Sequence, residues 1–145
     1  MSIWRVAATP EQLTERGSRS MPGFLGMHFT EVGPDYLRAA MPVNERTLQP
    51  FGLLHGGASV ALAETVGSVA STLCVDGEQF MVVGQEINAN HLRGMSSGTV
   101  TATARPFHIG RSSHVWHIEI RDERERLVCV SRLTIAVVAR RPKPE

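Results

Sequence analysis

A glycine pair, Gly56-Gly57, and a lone carboxylate, Glu64, stand eight positions apart at their first members, within a stretch from Leu53 to Ala70 that is otherwise almost wholly apolar or small. Attack on an acyl carbonyl needs these two kinds of group. One is a carboxylate acting as nucleophile or as base for water; the other is a donor for the developing oxyanion. A helix beginning at His55 would supply the donor. Its first backbone N–H groups have no internal acceptor and lie at the positive end of the helix dipole, and glycine lets a ligand oxygen come close. On the helical period Gly57, Ala61, Glu64, Ser68 and Ser71 form one small, polar stripe. Glu64 is its only charge, where a solvated face would normally carry several. The plainer alternatives are a solvent-exposed Glu64 and glycines that only permit tight packing of the helix start. No Gly-Lys-Ser/Thr follows, so the block is not a P-loop.

Spacing adds a constraint. Eight residues of helix span about 12 Å, so one helix cannot touch one carbonyl with both Gly56 and Glu64. Two antiparallel helices from two subunits can. The chemistry therefore predicts a composite site at a two-fold interface.

Other residues are candidates for substrate contact. Phe51, Leu54 and Met81 offer flat or flexible apolar surface to an acyl group. Arg93 and Arg111 are loop arginines able to meet the phosphates of a nucleotide-bearing substrate, or else free surface residues. His114 and His117 lie three apart on a predicted strand, so they face opposite ways. His108 falls across a hairpin from His114, too few ligands for a metal, and His28 is expected on a strand surface. Cys74 and Cys129 form no Cys-x-x-Cys pair and sit among apolar neighbours, as small buried hydrophobes. No metal and no cofactor are expected.

These groups must be positioned by a chain of 145 residues and 15.9 kDa, 42% hydrophobic, 20% charged, with net charge +1. That is one ordinary globular domain over residues 1–145, with no bulk field for nucleic acid or an anionic membrane. The N-terminus shows no signal-peptide pattern and no run reaches membrane-span length, so a soluble, cytoplasmic protein is expected. Thr9, Pro10 and Gly17 frame a short helix. Leu25 to Val32 and Tyr36 to Val43 flank the turn Gly33-Pro34-Asp35. The long helix runs from His55 to about Leu73, with Leu62, Val66, Val69 and Leu73 on its apolar face. Four strands follow: Phe80 to Asn90, Gly98 to His108, Ser113 to Asp122 and Arg126 to Val138. The last two are joined by a charged hairpin tip, and the tail from Arg140 is expected to fray. Hairpin-length links favour an antiparallel sheet covering one helix, an α+β domain.

The run Gln49-Pro50-Phe51-Gly52-Leu53-Leu54-His55-Gly56-Gly57-Ala58-Ser59, with Ala63-Glu64 and Gly67-Ser68 after it, resembles the hotdog-fold acyl-CoA thioesterases. Val83-Gly84-Gln85-Glu86-Ile87-Asn88-Ala89-Asn90-His91 and Pro106-Phe107-His108-Ile109-Gly110-Arg111 are similar to one branch of that family, which holds the dihydroxynaphthoyl-CoA and enterobactin proofreading thioesterases. The resemblance covers about residues 20 to 138. It implies a long helix wrapped by a curved antiparallel sheet, and dimers joined sheet edge to sheet edge that commonly pair into homotetramers. It also implies that Glu64 is the catalytic carboxylate and that the Gly56 amide polarises the thioester carbonyl. Gln49, His55 and Ser68 would surround the reacting centre, and His91 would lie near the acyl or pantetheine end. The expected function is hydrolysis of aryl- or medium-acyl-CoA. The rival readings are a non-catalytic acyl-CoA-binding hotdog protein and a hotdog dehydratase or hydratase.

Overall fold

A computed structural model describes residues 1–141. The chain order is α1 (Pro10–Gly17), α2 (Met21–Phe24), β1 (His28–Val32), β2 (Leu37–Pro42), α3 (Gly56–Leu73), β3 (Phe80–His91), β4 (Thr99–Ile109), β5 (Ser113–Arg121) and β6 (Leu127–Ala139). The six strands form one sheet in the order β1-β2-β4-β5-β6-β3, and every neighbouring pair is antiparallel. The sheet wraps α3, as expected. The C-terminal end of the tail, residues 142–145, lies outside the described residues.

Helix α1 forms where its capping signals predict. The Thr9 hydroxyl accepts from the Gln12 amide while the Gln12 side chain accepts from the Thr9 amide, a reciprocal cap. Helix α2 departs from the sequence reading. That reading has a strand from Leu25, but Met21–Phe24 make one helical turn and β1 begins only at His28. Pro22 in its first turn suits that geometry, and four residues are too few to show a period.

The core lies between α3 and the inner sheet face. Leu62, Val66 and Leu73 of α3 pack with Leu37, Met41, Val100, Trp116, Ile118, Ile120, Leu133 and Ile135, all at most 1% exposed. Burying each such side chain is worth roughly 1.5–3 kcal/mol. Small residues bring helix and sheet together: Ala39 pairs with Ala102 across β2 and β4, and a Cβ on Gly67 would lie 2.6 Å from Leu133 Cδ2.

One helical residue departs from the expected stripe. Ser71 is not beside Glu64 on the polar face but fully buried. Its hydroxyl accepts from Trp116 Nε1 at 2.7 Å and lies 3.0 Å from His114 Nδ1. Fourteen residues from Gly57 turn the stripe by only about 40°; Ser71 is buried because His114 and Trp116 of β5 close over this end of the helix. Cys129 is buried, Cys74 only partly, and burial pushes the Cys74 thiol up to about 11.

Candidate active site

The loop before α3 folds back so that the helix start is held from several sides. Thr47, buried, donates its hydroxyl to the Pro42 carbonyl, and its own carbonyl accepts from the His55 amide at 2.8 Å. The Gln49 amide donates to Leu53 O, Gln49 Oε1 accepts from the Phe51 amide, and Leu48 bridges Leu54. His55 then caps the helix: its Nδ1 accepts the Gly57 amide at 2.8 Å. Ala58 and Ser59 donate to the His55 carbonyl. Among the described residues the Gly56 amide alone of the first turn has no acceptor. It is the orphan donor that such a start makes available.

Gly56 lies in a cleft of about 310 Å³ that also takes in Gln49, Leu54, His91, Arg93 and Val128. Gln49, Leu54, His91 and Arg93 are all expected site residues. His91 packs on the helix start, since a Cβ on Gly56 would meet its imidazole.

Glu64 lies two turns further along α3 and is half-buried, as is Ser68. Its carboxylate rests on the backbone of Gly84 in β3, and among the described residues it has no hydrogen-bond or ion-pair partner. Within one chain the structure does not bring Glu64 and Ser68 to the Gly56 cleft, as the helix spacing requires.

Three expected contacts fall elsewhere. Phe51 sits at the tip of the turn that Gly52 closes with its positive φ, and it is 91% exposed outside the cleft. Met81 is 41% exposed on β3, on the face away from α3. Arg111 lies in the β4–β5 turn, in a separate cleft of about 660 Å³ with Arg5, Asp76 and Phe80 near the end of α3. Sequence reasoning missed Ser59 and Val128, which line the Gly56 cleft, and Gly84. Only Gly84 carried a signal, a glycine inside a strand pattern.

His114 lines the separate cleft that holds Arg111 and does not line the Gly56 cleft. Burial pushes its imidazole below the ordinary range, partly offset by a hydrogen bond to Gly110. Among the described residues no three His, Cys, Asp or Glu side chains are placed to hold a metal, and no helix is long and apolar enough to cross a membrane.

The chain has close counterparts among known proteins. Residues 51–129 match the thioesterase superfamily. The 1,4-dihydroxy-2-naphthoyl-CoA hydrolase of Escherichia coli is 54% identical over 136 residues, 94% of this chain and 99% of that protein. The proofreading thioesterase EntH of Cronobacter turicensis is 49% identical over 137 residues, 94% and 98% of the two chains. A crystal structure of a mutant thioesterase from Pseudomonas aeruginosa superposes with a TM-score of 0.94 at 51% identity, covering 96% of this chain and 100% of that one. The chain belongs to the thioesterase superfamily, with the hotdog fold. It is a thioester hydrolase.

Proposed function

We propose that the protein hydrolyses aryl- or medium-acyl-CoA to the free acid and CoA, in a site shared by two subunits. The observation that carries this reading is the pair of unsatisfied groups on α3: the Gly56 amide and the Glu64 carboxylate, too far apart to serve one carbonyl within a chain. Strand β3 is an edge of the sheet, with Met81 and Val83 exposed along it. Long exposed edges invite pairing with another chain. Glu64 sits over Gly84 and Gly56 sits against His91. Antiparallel pairing of β3 with its copy, Gly84 opposite the partner's His91, brings Glu64 of one chain to the Gly56 amide of the other. The homodimer is then the minimal catalytic unit, and a homotetramer would pair two of them.

In this site Glu64 acts by one of two routes. As base it takes a proton from water, whose oxygen adds to the thioester carbon; as nucleophile it adds itself, and water cleaves the resulting anhydride. In both, the oxyanion is held by the Gly56 N–H. Its collapse breaks the C–S bond and releases CoA as thiolate. His55 acts as a positioning residue, since capping Gly57 fixes the first turn. Gln49, Ser68 and His91 border the reacting centre. Leu54 and Val128 give the cleft its apolar wall, and Arg93 at its rim supplies a cation for phosphate. The superfamily and its relatives that act on CoA thioesters support this substrate class.

The test is thiol release from benzoyl-CoA by Glu64→Gln. The expected result is a fall in kcat of about 10² or more with the fold retained. Turnover near wild type in a folded variant would remove Glu64 from the mechanism.

A further inference from the structure

We propose that Gly84 is a positioning residue that seats the Glu64 carboxylate; this rests on the reading that Glu64 is catalytic. Glycine inside a strand costs stability and usually has a stated reason. A left-handed backbone is not the reason here. The glycines with positive φ are Gly26, Gly52 and Gly98, and Gly84 is not among them. Space is the reason. A Cβ added to Gly84 would overlap Glu64 Oε1 and stand 3.3 Å from Glu64 Cδ.

Among the described residues that carboxylate accepts no hydrogen bond and pairs with no cation. Its place is set by van der Waals contact with the β3 backbone. A carboxylate in such a seat keeps its lone pairs for water or the substrate carbon.

The seat is part of a β-bulge. The register of β3 on β6 runs from Gly84↔Ile135 to Glu86↔Thr134, so Gln85 is the extra residue. A bulge shifts the alternation of side chains by one position. Before it, Val82 packs on the core and Gly84 lies under Glu64. After it, the odd-numbered Ile87 and Ala89 pack on the core, and His91 reaches Gly56. Without the bulge, Gly84 and His91 could not both face α3. One irregularity therefore sets the floor beneath the carboxylate and aims the imidazole at the oxyanion donor.

Alanine at 84 would meet an allowed backbone and a better strand propensity, so its only penalty falls on Glu64. Displacement by about 1 Å at a reacting group can cost on the order of 10² in rate. The experiment is kinetics and melting of Gly84→Ala, Glu64→Asp and the double variant on benzoyl-CoA, with Glu64→Gln as reference. Aspartate is one methylene shorter and leaves room for the new Cβ. Expected are a kcat for Gly84→Ala lowered about 10- to 100-fold, KM within about twofold, and Tm unchanged or raised. In the Glu64→Asp background the same substitution should cost less than about threefold. A Gly84→Ala enzyme with wild-type kcat overturns the proposal, as does an equal penalty in both backgrounds. Loss of activity together with a lowered Tm or dissociated subunits also overturns it, since Gly84 would then serve the strand. An active Glu64→Gln enzyme instead sinks the underlying reading of Glu64, whatever Gly84→Ala does.

Discussion

The His91 imidazole rests against the backbone of Gly56, so closely that a Cβ at Gly56 would lie 2.7 Å from His91 Nε2. The end of an edge strand and the start of the long helix thus meet through the absence of one side chain. Gly56 is needed for this approach, and its free amide opens into the space the two elements leave.

Gly56→Ala should therefore act through His91. The exposed imidazole swings away, the cleft loses its wall, and kcat/KM falls about tenfold or more. A melting cycle of Gly56→Ala, His91→Ala and the double variant checks the cause. The stability penalty of Gly56→Ala should vanish once His91 is replaced by alanine, a coupling of roughly 0.5–3 kcal/mol. Strictly additive penalties would mean the contact carries no energy.

Ser71, His114 and Trp116 should give the fold a pH dependence below neutrality. Burial holds His114 below its ordinary pKa of 6.5, against the opposing Gly110 hydrogen bond, and nearby His108 adds to the depression. Above about pH 6.5 the group is neutral folded and unfolded, and its stability is fully present. As pH falls from there toward the lower folded pKa, the unfolded chain takes the proton first and stability is lost. Glu31, held low by Tyr36, and Glu119, held low by Arg121, change stability only below about pH 4.5. Urea midpoints between about pH 7 and 5 should fall, and His114→Gln should flatten that slope. Ser71→Ala should cost about 1–3 kcal/mol for each buried partner it orphans, Trp116 Nε1 first.

Much of this is legible in the sequence because it is local. The α1 cap, the bounds of α3 and the alternation of Trp116, Ile118 and Ile120 are readable within one turn or one strand. The distance from Gly56 to Glu64 is likewise a matter of helix rise. Ser71 escapes such a reading because its partners arrive more than forty residues later, and no helical period announces Trp116 and His114. The bulge at Gln85 is invisible for a similar reason: it is defined by what β6 places opposite, not by β3 alone. Phe51 and Met81 have the residue types of acyl contacts; within one chain a turn tip and an outward strand position leave both outside the Gly56 cleft.

The cleft beside Gly56 should set substrate preference. Leu54 and Val128 form apolar wall there, while Arg46 lies over the Phe24 ring, 5.6 Å from its centroid. Arg93 is the one arginine or lysine lining the cleft among the described residues, and the proposed reading gives it a substrate phosphate. Benzoyl-CoA and hexanoyl-CoA should thus be hydrolysed with higher kcat/KM than malonyl-CoA, measured side by side. Arg93→Ala should raise KM for all three alike, with kcat little changed. A malonyl-CoA value equal to or above the others would assign Arg93 to the acyl carboxylate instead.

Shared sites make a quantitative prediction for mixed subunits. Glu64→Ala and Gly56→Val are each expected to be inactive as homodimers. In a heterodimer, one site draws its helix start from the Gly56→Val chain and its carboxylate position from the Glu64→Ala chain, so it carries both lesions. The other site joins an intact Glu64 to an intact Gly56. Random reassociation makes half the dimers mixed, and half of their sites sound, so about a quarter of wild-type activity should return. The measurement is thiol release after co-refolding the two variants, with mass analysis of tagged chains to count heterodimers and melting to show that Gly56→Val folds despite its contact with His91. If the site lay within one chain, each chain would carry its own lesion into every mixture. Heterodimers that form and remain inactive would therefore reject the two-subunit geometry.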